Sequence, residues 1–180
     1  ILFHRRGKNI IDWVKKHSDD LWKTENLTQI NSMGTELKFV VFPSEIWDRN
    51  WPESIKLSYL YNNQEKSTSG FISNYVLDNL KHKITASATQ KLGDRLHVNL
   101  RGIFQDREGT FTQYKNKLPV GEIPYNPFWL IDSKLVFHTG NVEAYVSVTN
   151  VFNRRYYDLG NIVQPGRWLK TGISWEISFD

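Results

Sequence analysis

The sequence contains no cysteine, so disulfide bonds and thiolate metal sites are excluded. It also lacks any apolar run of about 18 residues or more, the length that a transmembrane helix needs. Its five histidines, at positions 4, 17, 82, 97 and 138, are scattered without the spacing of metal ligands. The net charge is +4, but basic residues form only short clusters, so no nucleic-acid partner is predicted.

Aromatic residues are abundant, with seven Trp, eight Tyr and ten Phe among 180 residues, which is too many for a disordered chain. Helical periodicity is scarce, whereas alternation of apolar and polar residues recurs along the chain and predicts β-strands. The predicted strands are 1–14, 24–42, 54–66, 80–92, 95–108, 127–139, 142–157 and 167–179.

The connections between these strands alternate in length. Gly93-Asp94 and Gly140-Asn141 are compatible with tight hairpins, whereas 67–79, 109–126 and 158–166 are long. The connection 43–53 is longer than expected for the short side. This rhythm predicts an antiparallel up-and-down sheet with its long loops at one end, as in outer-membrane β-barrels.

The predicted strands are long and have one apolar and one polar face. In strand 167–179, Leu169 and Ile173 share one face, whereas Lys170 and Glu176 share the other. Ten residue steps from Leu169 to Phe179 cover about 33 Å, which at a barrel tilt gives roughly the 25 Å apolar height of an outer-membrane barrel. Aromatic residues gather near the strand ends, in two groups suited to the two membrane interfaces. The groups are Trp13, Trp22, Tyr156, Tyr157 and Trp168 at one end, and Phe39, Phe42, Trp47, Trp51 and Phe137 at the other.

These features predict an all-β fold, an antiparallel up-and-down transmembrane β-barrel wall of about eight strands. Two alternatives remain open. A complete small eight-stranded outer-membrane barrel with a structural or adhesive role would have the same strand count and length. A soluble, lipocalin-like barrel would turn the apolar face inward, although its strands would be unusually long.

The last hairpin, "VSVTNVFNRRYYDLGNIVQPGRWLKTGISWEISF", resembles the C-terminal hairpin of TonB-dependent outer-membrane receptors. That family's pattern is Asn-(Leu/Val)-Phe-Asn, basic residues with Tyr-Tyr, a Pro-Gly-Arg turn and a last strand ending in Phe. Asp180 departs from the pattern, because it follows the final aromatic residue. We interpret the motif as the membrane interface of the hairpin, formed by Asn150, Phe152, Asn153, Arg154, Arg155, Tyr156, Tyr157, Pro165, Gly166, Arg167, Trp168 and Phe179.

A second stretch, residues 3–16 followed by 22–39, resembles a strand-loop-strand of the same barrels. Within the family it is similar to vitamin B12 (cobalamin) receptors and their siderophore-receptor relatives. The resemblance implies that 1–180 is the C-terminal portion of a barrel of about 22 strands, without the plug domain. The start at Ile1, without Met, is interpreted as a cut in a longer protein.

The resemblance implies a function as well. Such a receptor binds a large scarce nutrient, here a corrinoid or an iron-siderophore, and imports it across the outer membrane with energy delivered by TonB. The implied partners are TonB through the plug, the barrel-assembly machinery, the remaining barrel strands and outer-membrane lipid. A surface lipoprotein is left open as a further partner.

The long loops carry aromatic residues beside polar ones, a combination suited to a large amphipathic ligand. The candidate ligand contacts are Phe71, Tyr75, Tyr114 and Tyr125. Packing among the loops, or contact with lipid headgroups, is the alternative role for these rings.

No enzyme activity, cofactor or metal site is predicted. Ser87 and His97 lie on neighbouring predicted strands, but nothing supplies the oxyanion hole that a hydrolase needs. Asp19-Asp20 could contact calcium only with oxygen ligands from elsewhere.

Overall fold

The computed structural model describes residues 1–17, 19–47, 51–67, 69–73, 79–159 and 162–177. Within these ranges the chain forms thirteen strands and one short helix. In chain order they are β1 (Leu2–Lys15), β2 (Lys23–Val41), α1 (Pro43–Ile46), β3 (Ser54–Ser67), β4 (Ile72–Ser73), β5 (Leu80–Lys91), β6 (Leu96–Arg107), β7 (Thr110–Lys115), β8 (Leu118–Pro124), β9 (Phe128–Thr139), β10 (Val142–Thr149), β11 (Tyr157–Leu159), β12 (Ile162–Val163) and β13 (Trp168–Trp175).

One antiparallel sheet contains nine of these strands, in the order β13-β10-β9-β6-β5-β3-β2-β1-β4. Its eight long strands follow one another in chain order, so the predicted all-β, up-and-down sheet is confirmed. The two hairpins β7-β8 and β11-β12 form small separate sheets. The described residues include no helix that is long and apolar enough to cross a bilayer.

The connections have the predicted asymmetry. Residues 16–22, 68–79, 108–127 and 150–167 join strands at one end, which we call the long-loop end. At the opposite, short-loop end, Gly93 and Gly140 have φ of +86° and +53°, which explains glycine at these turns. The longer connection at that end contains α1, which follows Phe42 with Pro43 in its first turn.

The register between strands is strongly staggered. A row of directly paired residues starts at Val41, the last residue of β2 at the short-loop end. It passes through Ile55, Ala88, Leu100, Ser133 and Val148, and reaches Leu169 near the start of β13 at the long-loop end. Hydrogen-bonded rows therefore run obliquely to the sheet ends, which is the shear of a barrel wall with tilted strands.

The register gives the sheet two chemically different faces. The apolar face carries Leu37, Leu57, Ile84, Leu100, Leu135 and Val146 on the successive strands β2, β3, β5, β6, β9 and β10. Residues one position along each strand lie on the polar face, because strand side chains alternate. That face includes Lys38, Ser58, Thr85, Lys134, Ser147 and Lys170.

Two predicted strand limits are wrong. The strand predicted over 142–157 ends at Thr149, because Asn150 adopts φ of +51° and its backbone N–H donates to Asp132 Oδ1 at 2.9 Å. The strand predicted over 167–179 is observed as Trp168–Trp175, and the described residues end at 177. Two predicted loops also contain the hairpins β7-β8 and β11-β12, because local alternation there forms short ribbons outside the main sheet.

Candidate ligand-binding surface

The polar face carries more cations than acids along the middle of the sheet. Arg101 lies opposite Asp132, and Lys134 approaches Glu143 at 4.0 Å. A face with this balance favours an anionic or hydrogen-bonding ligand over a cationic one. The cations are Lys38, Lys56, Lys83, Arg101, Lys134 and Lys170, and the acids are Glu36, Asp132 and Glu143.

A cavity of about 350 Å³ opens on the polar face at the long-loop end. The half-exposed ring of Trp168 lies 5.6 Å from Lys170 Nζ, which places an aromatic face beside a cation. Aromatic, cationic and amide groups together suit an amphipathic ligand. The cavity is lined by Ile103, Leu130, Asp132, Thr149, Asn150, Tyr156, Pro165, Gly166, Trp168 and Lys170.

Tyr156 enters this cavity from the loop after β10 and packs its ring on Phe128 at 4.7 Å. Burial of the hydroxyl raises the pKa of Tyr156 above its ordinary value, and the nearby carboxylates of Asp158 and Asp132 add to the shift. The hydroxyl therefore remains a neutral hydrogen-bond donor well into alkaline conditions.

Asn150 organises the loop between β10 and β13. Its side chain is 4% exposed, donates from Nδ2 to the carbonyls of Arg154 (2.8 Å) and Pro165 (3.4 Å), and accepts from the Arg154 N–H at 2.8 Å. One amide thus joins the segment leaving β10 to the segment entering β13. The amide has the two N–H donors and the acceptor oxygen that these three hydrogen bonds need.

Asn153 makes the second half of this arrangement. It adopts φ of +52°, and its Oδ1 accepts a hydrogen bond from the Arg167 N–H at 2.9 Å. A Cβ on Gly166 would lie 2.5 Å from the same Oδ1, so a larger residue would displace that amide. We name Asn150, Asn153, Arg154 and Pro165–Arg167 the terminal clamp.

A small aromatic core stabilises the loops above the sheet. Phe111 and Tyr125 are buried and pack at 5.1 Å, and Phe111 also stacks on Tyr157 at 5.0 Å. Arg107 donates to Asp158 at 2.7 Å beside this core. The hairpin β7-β8 and the strand β11 are therefore held together as one platform.

At the opposite edge of the sheet, residues 69–73 reach the edge of β1 that does not pair with β2. There Ser73 pairs with Val14. Asp12 is 2% exposed, accepts a hydrogen bond from Ser73 Oγ at 2.5 Å and pairs with Lys66 Nζ at 3.2 Å. We name residues 69–73 the strap, since they join β3 to the edge of β1.

The Asp12–Lys66 pair lies closer to the long-loop end than the apolar residues of β3 do. The side chain of Lys66 is only 6% exposed. Burial lowers the pKa of Lys66 below its ordinary value, opposed by the hydrogen bond and charge of Asp12. Sequence reasoning missed this site entirely. No local signal could have found it, because the two residues are far apart in the chain and come together only when the strands pair.

The predicted ligand contacts are dispersed. Tyr114 on β7 is 54% exposed, whereas Tyr125 is 6% exposed within the aromatic core. Phe71 lies in the strap, with Lys23 Nζ 5.3 Å from its ring. Tyr75 is outside the described residues. The structure does not bring Phe71 together with Tyr114 and Tyr125, and ligand contact stays a prediction for all four.

The predicted membrane-interface motif is explained in part as the terminal clamp. Phe152 is exposed, Arg154 donates to the Pro127 carbonyl at 3.3 Å, and Arg155 lies 5.8 Å from the Tyr157 ring. Tyr156 and Trp168 line the cavity on the polar face. Phe179 is outside the described residues. Contact of these residues with lipid is not tested by these geometries and stays a prediction.

Other polar groups show no assembled chemistry. His97 pairs with Lys91 and packs its ring on His138 at 5.1 Å, whereas Ser87 pairs with Arg101. Asp20 accepts a hydrogen bond from the His17 N–H at 2.8 Å within the first loop. Among the described residues, no group of three or more His, Asp or Glu side chains is arranged to hold a metal ion.

Comparison with known proteins identifies the fold. No family model and no curated protein matched the chain by sequence. Its structure is similar to that of the FrpB iron transporter from Neisseria meningitidis (F3-3 variant), with a TM-score of 0.66 and 17% identity. The match covers 96% of this chain but 28% of FrpB. The chain thus has the fold of part of a barrel wall and spans under a third of that transporter's length.

Proposed function

We propose that this chain is the C-terminal part of the barrel of an outer-membrane transporter. The observation that carries the proposal is the staggered antiparallel sheet. Almost the whole of this chain matches a segment of an iron transporter. The exposed apolar face supports a membrane location, since residues such as Leu37, Leu57 and Ile173 (79% exposed) cover it without any second layer among the described residues. An apolar surface of that extent favours a lipid neighbour over water.

In this proposal the chain belongs to the TonB-dependent receptors and imports a large scarce nutrient, a corrinoid or an iron-siderophore. The terminal clamp accounts physically for the motif that carries the resemblance to that family, because Asn150, Asn153 and Gly166 each fill a defined role. The cavity beside Trp168 and Lys170 provides an aromatic and cationic surface that a large anionic chelate would fit.

The plug and the remaining strands belong to the same proposal, as do TonB, the barrel-assembly machinery and a surface lipoprotein as partners. Catalysis and bound cofactors are not part of the proposal. The proposed role is to form a polar wall along which the ligand passes.

Uptake in cells tests the proposal. Cells carrying or lacking the gene would receive radiolabelled cobalamin or ferric siderophores, with and without a protonophore. Energy-dependent uptake of one ligand, lost with the gene, is the expected result. Unchanged uptake of every ligand, together with a native polypeptide of only 21.2 kDa, would instead favour a small closed barrel.

A further inference from the structure

A polar groove of about 470 Å³ lies on the same side of the sheet as the apolar face, across β1, β2 and β3. His4 and Arg6 of β1 face Met33 and Asn31 of β2. Glu65 of β3 pairs with Asn31. These residues share the side of Leu37 and Leu57, because they occupy alternate positions of the same strands.

The groove begins where the apolar residues end. On β2 the apolar face runs from Val41 back to Met33, and Asn31 and Gln29 follow. On β3, Tyr59 and Tyr61 close the apolar series before Asn63, Glu65 and Ser67. A change from apolar to tyrosine to polar residues, on one face and toward one end, is typical of the boundary between hydrocarbon and headgroups.

The positive charge of Arg6 in the groove is available for a ligand. Arg6 is exposed and makes no side-chain hydrogen bond or ion pair within the described part of the chain. His4 Nε2 is 2.6 Å from Asn31 Oδ1, which orients the imidazole beside it. Glu65 is the one acid lining the groove, and Lys66 is already engaged with Asp12.

We propose that this groove binds the phosphate of an outer-leaflet lipid headgroup. The planar guanidinium of Arg6 can hold two phosphate oxygens, and His4 and the amides of Gln29 and Asn31 can donate to the others. The acyl chains of the same lipid would lie along Met33 and Leu37, directly below the groove. The inference rests on the proposed membrane location, and it adds a defined lipid site to a wall whose proposed role is transport.

Native mass spectrometry of the full-length protein in detergent micelles tests this site. The probes are diphosphoryl lipid A, its fully dephosphorylated form and inorganic phosphate. We expect wild-type protein to retain the diphosphoryl lipid, and Arg6→Ala to weaken its retention at least tenfold, as expected for loss of a bidentate charged contact.

Two variants separate a binding role from a structural one. Arg5→Ala removes the same charge from the adjacent residue, which lies on the polar face beside Phe3, so lipid retention should be unchanged. Glu65→Gln removes the acid from the groove and should strengthen retention several-fold, a gain that damage to the fold would not produce.

The outcomes distinguish the two proposals. Wild-type protein absent from the outer-membrane fraction would overturn the proposed function. Folded outer-membrane protein in which Arg6→Ala and Arg5→Ala retain lipid equally would overturn only the lipid site. Equal retention of the dephosphorylated lipid, or competition by inorganic phosphate at similar concentrations, would also overturn it, since the site would then not select a phosphorylated lipid.

Discussion

The terminal clamp and the strap solve the same problem with different chemistry. Each ties a long loop to the sheet at the long-loop end. The clamp uses neutral amides, with Asn150 satisfying groups of Arg154 and Pro165. The strap uses a buried ion pair, Asp12 with Lys66, and the hydroxyl of Ser73. Amides hold their partners at any pH, whereas a buried charge pair depends on both protonation states.

The largest expected effect comes from breaking the charge pair. Asp12→Ala leaves Lys66 buried without its partner, and we expect a loss of about 3–5 kcal/mol in the free energy of unfolding. The measurement is chemical unfolding of the full-length protein in micelles. The double variant Asp12→Ala/Lys66→Met is the control and should recover most of the loss. Equal destabilisation of single and double variants would contradict the ion-pair account.

A somewhat smaller effect is expected in the clamp. Asn150→Ala leaves the Arg154 N–H and the carbonyls of Arg154 and Pro165 without their side-chain partner, at a residue of positive φ, so unfolding should be easier by about 2–4 kcal/mol. The same unfolding measurement applies. Asn141→Ala, at the exposed short turn, is the matched control and should change stability by less than about 0.5 kcal/mol. Similar effects at both positions would mean that the clamp hydrogen bonds are dispensable.

The sequence predicted these two regions unequally. Asn150, Asn153 and Gly166 lie within one hairpin, so a short motif records the requirement for each, and the eight long strands likewise follow from local alternation. The strap depends on Asp12, Lys66 and Ser73, which come together only after β1, β2 and β3 have paired. Alternation also did not place the end of β10, because the apolar phase of Val146 and Val148 resumes at Phe152, beyond Asn150.

Alkaline pH should change the stability of the strap and of the Tyr156 cavity beside the clamp in opposite directions. The folded-state pKa of Lys66 is lowered, so between that pKa and 10.5 the unfolded chain binds more protons, and the strap gains stability as pH rises. The folded-state pKa of Tyr156 is raised, so its contribution is complete below pH 10.0 and is lost as pH rises through the folded value.

The test is the free energy of unfolding, measured from pH 8 to 11 for wild type, Lys66→Met and Tyr156→Phe. As pH rises, wild type should become more stable relative to Lys66→Met. Over the same range, wild type should become less stable relative to Tyr156→Phe. Slopes of the same sign would show that the two sites do not differ as described.

The smallest effect on stability is expected at Tyr114. Its ring is 54% exposed, so Tyr114→Ala should change unfolding by less than about 0.5 kcal/mol, whereas Tyr125→Ala should cost several times more. If Tyr114 contacts the ligand, uptake affinity should nevertheless fall. Unchanged affinity for the imported ligand would remove Tyr114 from the candidate contacts.

The central claim is that the apolar face meets lipid and the polar face meets water. Because the sequence has no cysteine, single cysteines can be spin-labelled at Leu57, Ser58, Val146 and Ser147 of the full-length protein in bilayers. The account predicts that labels at Leu57 and Val146 collide with dissolved oxygen, and that labels at Ser58 and Ser147 collide with a water-soluble nickel complex. Equal access of the nickel complex to all four positions would contradict the membrane assignment.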